Sequence, residues 1–451
     1  MSDASDGLPY PQRFWAITAQ ALVITMSVLD GSIANIALPT ISAELHVTPA
    51  ESIWVVNAYQ LAITVSLLSL AALGDIVGYK RIYTWGVVIF TLASLGCALS
   101  NSLEMLVASR VIQGFGAAGL MSVNTALVRF IFPRAQLGRG MGINSMIVAV
   151  SAATGPSLAA AILSIAPWPF LFFINVPVGI AAFIMTASLP MTPRAPHRFD
   201  WTGAALNAAM FGLGIAAVDG FGHGQPWPQV LAETVAAIAV TYVFVRSQRG
   251  KAVPILPVDL FAIPVFSLSA LTSVCSFIAA TMAFVSMPFL FQSRGMTTTE
   301  IGLLITPWPV TAVFVAPLAG RLADRIPAGK MGGVGLALFT LGLLAIVLAP
   351  APVSWLNMAW RMSLCGGGFA LFQAPNNRQL IASTPRERSG AGSGVLSSAR
   401  LLGQTLGAAL VAVSFGLTAS AGVGAGGVLA ISAAVAVALL AMGVSLARLR
   451  V

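Results

Sequence analysis

The sequence predicts an all-α polytopic membrane protein, and three observations lead to it. Only 8% of its 451 residues are charged while 57% are hydrophobic, and the mean hydropathy is +0.90, a balance no water-soluble domain of this length needs. The apolar residues fall into fourteen stretches, each of about 20 residues, the length that crosses a bilayer as a helix. The basic residues lie almost entirely on one side of those stretches.

In chain order the stretches run 14–37, 50–73, 81–100, 104–128, 140–163, 168–189, 201–219, 229–246, 265–291, 297–319, 331–349, 354–375, 389–415 and 423–447. The leading MSDASDGLPYPQR is acidic and polar, so Phe14 is expected to open a retained span and not a signal peptide. With a cytoplasmic N-terminus, nineteen of the 23 Lys and Arg lie in cytoplasmic loops, span ends and tails; only Arg294 lies outside, and Arg110, Arg361 and Arg400 fall inside spans. This asymmetry predicts that both termini are cytoplasmic. It also accounts for the net charge of +9: the basic residues face an anionic leaflet, and no nucleic-acid partner is implied. Cys97, Cys275 and Cys365 sit far apart in apolar stretches and read as small buried hydrophobes.

An internal repeat runs through the chain. Thr48–Glu51 and Asp75 recur at Thr297–Glu300 and Asp324, an offset of 249; Arg110 and Gly116 are matched by Arg361 and Gly367, offset 251; Gly142 and Gly155 by Gly394 and Gly407, offset 252. The expected organisation is a six-helix bundle at 1–190, an inserted pair of spans with basic flanks at 191–255, and a second six-helix bundle at 256–451. Glu51 and Glu300 each close a Thr-x-x-Glu sequence before an apolar run and read as capping boxes. His46, His197 and His223 fall in loops, giving no relay or metal site. The chain carries no GxxxxGK[ST], HExxH or GxSxG, so neither a nucleotide-driven pump nor an intramembrane hydrolase is indicated, and no cofactor is expected.

One carboxylate stands out. Asp30 is the only acid in the first span, and a charge at membrane depth is costly, paired and functional. Arg110 lies near the same depth in the fourth span. Burial disfavours a carboxylate's charge and a nearby guanidinium favours it. An acid whose partner moves away can therefore gain and lose a proton within one cycle.

Four stretches carry a resemblance. LDGSIANIALP (29–39), LGDIVGYKR (73–81), ASRVIQGFGAAG (108–119) and NSMIVAVSAATGPSLAAA (144–161) resemble the signatures of fourteen-span drug:proton antiporters of the major facilitator superfamily. The departures are Ser32 and Ala34 in the first, Ala71 in place of the glycine that precedes the second, and Ser151 with two alanines in the fourth. The resemblance covers essentially the whole chain. It implies a fold of two six-helix bundles with two extra helices between them. It also implies proton coupling at Asp30 and Arg110, and gating by Asp75, Gly78, Lys80, Arg81, Asp324, Gly155 and Pro156. Lys80 and Arg81 are expected to anchor the inner leaflet, and Asp75 to seek a cation such as Arg129 or another helix N-terminus. Offset 249 pairs Tyr59 with Trp308 and Asn57 with Thr306 in a mid-membrane cavity. Asn35, Gln60, Gln113, Asn144, Gln292, Phe369 and Gln373 are further candidate contacts, with Phe284, Met287, Phe289 and Phe372 as apolar walls. Partners implied are protons, the bilayer and a small lipophilic or cationic substrate, with the chain a monomer in a bacterial inner membrane. A metabolite exporter or proton-coupled importer of the same fold is the rival within transport; a membrane receptor or enzyme is the rival outside it.

Overall fold

The computed structural model describes residues 7–450, except 134–135, 193, 195–197, 223–224, 252–253, 324–325, 350–353 and 385–388; side chains at 137–139, 141–142, 145, 149, 219, 221–222 and 389–393 also lie outside the description. Fourteen long helical segments occupy the described residues. In chain order they are α1 Gln12–Glu44, α2 Pro49–Val77, α3 Tyr79–Ala98, α4 Leu103–Ile131, α5 Leu137–Leu163, α6 Phe170–Ser188, α7 Trp201–Gly222 and α8 Trp227–Gln248. After them come α9 Pro264–Ser293, α10 Thr298–Leu322, α11 Ala328–Val347, α12 Trp355–Ala382, α13 Ser389–Leu417 and α14 Val423–Ala447. Thirteen of these are long and apolar enough to cross a membrane among the described residues. The other is α12, which is long enough but more polar, and several of its polar groups are engaged by protein. Arg361 donates to the Ala345 carbonyl, and the Asn376 side chain bonds Ser273 Oγ (2.8 Å) and Arg448 Nη1 (2.6 Å).

Local chemistry sets the helix starts. Thr48 and Glu51 at α2, and Thr297 and Glu300 at α10, make reciprocal capping boxes, so these glutamates are occupied by backbone amides. Helix α1 runs through Pro39 to Glu44, past the end expected near 37, because one missing N–H is tolerated where neighbouring helices support the turn. Asp30 therefore lies roughly 21 Å from the end of α1, at 1.5 Å per residue, deeper than the sequence implied.

The two halves pack by one scheme. In the first, α1 lies against α5 and α6, α4 against α2 and α3, and α3 against α6; in the second, α9 lies against α13 and α14, α12 against α10 and α11, and α11 against α14. The match extends to single atoms. A Cβ on Gly114 would meet the Tyr59 carbonyl and one on Gly366 the Trp308 carbonyl; a Cβ on Gly116 would stand 2.6 Å from the Phe90 nitrogen and one on Gly368 2.5 Å from the Phe339 nitrogen. Gly155 meets Ser32 of α1 as Gly407 meets Thr281 of α9. These contacts correct two expected pairings. The counterpart of Gly116 is Gly368, not Gly367, and the offset of 252 makes Met362, not Arg361, the counterpart of Arg110.

Between the halves, α5 meets α10, α2 meets α13 and α1 meets α9. Helices α7 and α8 pair, and α7 covers the α2–α13 seam, where Asn207 donates to the Val65 carbonyl at 2.9 Å. The base of this hairpin is tied by Asp200, which accepts from Lys251 (2.5 Å), Gln248 (3.2 Å) and the Gly203 amide (3.0 Å). Burial opposes its ionisation, but these donors prevail and hold its carboxyl below the ordinary value.

One apolar cluster joins residues 33–41 of α1, the second half of α9 and the start of α10, binding both halves at the face away from the chain termini. Toward the terminal face there are two separate clusters, one around Tyr83, Phe90 and Leu127 and a small one around Leu260, Phe266 and Leu380. Among the described residues the halves thus share one apolar cluster at the face away from the termini, while toward the terminal face they are joined through α2 against α13, where Leu401 packs into the first-half cluster. Exposed Trp85, Leu92, Ile112, Ile184 and Ile238 form the lipid-facing outside of the barrel of helices.

Because backbone lies where their Cβ atoms would go, Gly116→Val and Gly368→Val should each destabilise the protein by about 1–3 kcal/mol or more through overpacking. Gly214→Ala, with nothing within 4 Å, should leave the melting temperature in detergent unchanged. Equal melting of all three variants would contradict the packing scheme.

Candidate functional site: a buried ion pair between α1 and α4

Small residues bring the site together. Gly114 lets α4 approach α2, and Gly116 and Gly119 let it approach α3. Arg110, Gln113, Gly114 and Ala117 are all buried, and their i, i+3, i+4, i+7 spacing places them on one face of α4. On α5, Gly155 lies against Ser32, pressing α1 inward beside Asp30.

The Asp30 and Arg110 side chains form a salt bridge, 1% and 0% exposed. Arg110 Nη1 reaches Asp30 Oδ2 and also donates to Gln113 Oε1 at 2.6 Å, while its Nε donates to the Val55 carbonyl at 2.9 Å. Asp30 Oδ1 accepts from Gln113 Nε2 (2.8 Å) and Asn175 Nδ2 (3.0 Å), and Gln113 also donates to Ser94 Oγ at 2.8 Å. The guanidinium lies over the Tyr59 ring, 4.0 Å from its centroid, with the Phe172 ring 5.5 Å away. Asp30 is therefore no water-facing helix-end carboxylate. Its charge is met by one cation and two amides, and on Arg110 the Nη2 atom is buried without a partner.

Of the other expected residues, Tyr59 and Gln113 join this site. Asn57 is fully buried with neither side-chain atom bonded, and Asn35 Oδ1 and Gln60 Oε1 are likewise unpartnered. Asn144 lies elsewhere, bonded to Asn124 (2.8 Å), which in turn accepts from Gln20 (3.2 Å); Gln20 and Asn144 line a small crevice between α1, α4 and α5. Trp308 and Phe369 belong to an aromatic chain in the second half. Gln373 is half-buried on α12, whereas Gln292 is exposed in the last turn of α9, away from the rest. Sequence reasoning missed Asn175 and Ser94. The only signal for Asn175 was an amide in the otherwise apolar FLFFINVPVG.

At the terminal face, Gly78 turns between α2 and α3 with φ of +100°, which favours glycine. The Lys80 ammonium bonds the Ala187 and Leu189 carbonyls at 2.8 Å each, capping the end of α6. Arg81 is exposed. Asp75 accepts from the Tyr79 hydroxyl at 2.5 Å, and no ion pair with Arg129 forms among the described residues. Asp324 lies outside the described residues. At the opposite face Pro156 and Ala160 contact the backbone of Gly302, and Ser157 hydrogen-bonds Thr306 at 2.7 Å, closing α5 against α10.

Removing one member of a buried pair strands the other. Arg110→Gln should lower stability by about 3–5 kcal/mol, and Asp30→Asn together with Arg110→Gln should recover much of that loss. Thermal unfolding of the four forms in detergent checks this; additive losses would mean the pair is not coupled.

The Major Facilitator Superfamily model matches residues 21–408 and 269–449. The uncharacterised transporter YebQ of Escherichia coli (strain K12) is 57% identical over 413 residues, covering 91% of this chain and 90% of the relative. The multidrug resistance protein Stp of Mycobacterium tuberculosis is 32% identical, covering 88% of this chain and 74% of Stp. A solved bacterial homologue of the human lysosomal transporter Spinster, inward-facing and unoccupied, matches the fold with a TM-score of 0.73 at 17% identity, over 98% of each chain. With its repeated six-helix packing and its many apolar helices, the chain is a multi-pass membrane transporter and no enzyme, and it belongs to the Major Facilitator Superfamily.

Proposed function

We propose that the protein is a proton-coupled antiporter that exports small lipophilic compounds by alternating access. The observation that carries this is the Asp30–Arg110 pair. It is a membrane-depth acid held by a cation that it can release only if α1 and α4 shift. Protonation of Asp30 weakens the pair, and motion of Arg110 returns the proton. The two halves would rock about their shared apolar cluster, breaking the Ser157–Thr306 closure when the opposite face opens. Asp75, held by Tyr79 on its own turn, is free to take a partner across the terminal face when that face closes.

The nineteen-to-one distribution of basic residues supports a bacterial inner membrane with both termini cytoplasmic, so the terminal face is the cytoplasmic one. The likeness to Stp supports drug-like cargo, and the aromatic walls supply an apolar surface for it. Cationic cargo has less support, because Asp30, the acid deep in the first half, is committed to the protein's own donors.

Asp30→Asn strands the Arg110 charge and should lower stability, but its amide oxygen can still accept from the guanidinium, so the variant should still fold. It should lose proton-driven transport to the level of protein-free liposomes. The measurement is substrate-dependent proton movement in reconstituted vesicles, wild type against variant. Normal proton coupling in Asp30→Asn would overturn the proposal, and uptake toward the cytoplasmic side down the proton gradient would favour an importer.

A further inference from the structure

Arg400 is a charge inside a spanning helix that neither the fold nor the proton site uses. On α13, Gly403 and Gly407 face α9, where their Cβ atoms would stand 2.6 Å from the Val274 carbonyl and 2.7 Å from the Ile278 carbonyl. Thr405 faces α2, sharing a hydrogen bond of 3.0 Å with Thr64, and Leu401 packs into the core of the first half. Successive helical residues turn by about 100°, so Arg400 projects between these two directions, into the gap between the halves. Its Nε is enclosed without a hydrogen-bond partner, and no carboxylate pairs with it among the described residues. An uncompensated charge at this depth is expensive and marks a pathway for something that compensates it.

An aromatic wall starts beside it. Phe277 lies against Gly403, one turn along α13 from Arg400. From Phe277 the rings run to Phe369 (centroids 5.3 Å apart), Phe339 (5.6 Å), Trp308 (5.5 Å) and Phe284 (4.5 Å). Phe369 and Phe284 are only half-buried, so part of the wall faces the gap.

We propose that Arg400 is the anion-recognition residue of the substrate cavity, and that the cargo is an aromatic or lipophilic acid. Its carboxylate pairs with the guanidinium while its rings lie along the half-buried Phe369. A planar guanidinium donates two parallel hydrogen bonds to a carboxylate. The inference rests on the transport reading above and names the cargo class for the same cavity.

The test uses the purified full chain in detergent at neutral pH and three matched probes: 2-naphthoate, its methyl ester and 2-naphthylmethylammonium. Calorimetric titration should show naphthoate binding about tenfold tighter than the ester, the scale of a charge-assisted hydrogen bond, and the ammonium binding weakest. Arg400→Gln should abolish the preference for naphthoate and leave ester binding unchanged, while Arg400→Lys should keep part of it. Failure of the antiport reading would show in transport alone: the wild-type protein would keep the naphthoate preference and show no substrate-dependent proton movement in vesicles. Absence of a naphthoate preference in the wild type, or its survival in Arg400→Gln, would overturn the assignment.

Discussion

The buried pair of Asp30 and Arg110 is the constraint on which the first half of the molecule depends. Two ions taken out of water cost several kcal/mol each unless geometry and further hydrogen bonds repay it. The repayment comes from three other helices and from α4 itself: Val55 on α2, Ser94 on α3, Asn175 on α6 and Gln113 on α4. The glycines of α4 and Gly155 of α5 allow the approach that makes those bonds short. Packing and charge are therefore one problem here: helices close enough to satisfy the pair must carry no side chain where their backbones meet.

The second half shows what the same scaffold does without the charge. At the positions related by the repeat, Asp30, Ser94, Arg110 and Gln113 are replaced by Ala279, Leu343, Met362 and Cys365, all fully buried or nearly so. The network is exchanged as a set for apolar residues, as expected if leaving any one partner behind would strand a polar group. One half thus holds the ionisable pair and the other presents an aromatic wall with Arg400, which pairs with no described carboxylate. That division of labour suits a transporter in which proton and cargo act on different bundles that share one hinge.

Much of this was legible in the sequence, and the failures have physical causes. Depth and polarity singled out Asp30 and Arg110, and the Thr-x-x-Glu boxes gave two helix starts. Direction was harder. Arg361 looks like a repeat of Arg110 by type and spacing, but the offset changes from 249 to 252 between α11 and α12, which turns Arg361 toward the Ala345 carbonyl and puts Met362 inward. Lys80 reads as a membrane-surface cation, yet unsatisfied carbonyls at the end of α6, more than 100 residues later, claim it. Gln292 has the right polarity for a cavity but sits one turn too far along α9. In each case composition gave the chemistry and the tertiary neighbour chose the role.

The central claim is that Asp30 exchanges a proton during the cycle. Infrared difference spectroscopy of the reconstituted protein, stepped from alkaline to acidic buffer, reads a carboxylic acid directly through its C=O stretch. The account predicts one band from a buried acid that grows as the pH falls, is absent in Asp30→Asn and titrates differently when Arg110 is replaced. An identical band in Asp30→Asn, or no buried-acid band at any pH at which the protein stays folded, would contradict it.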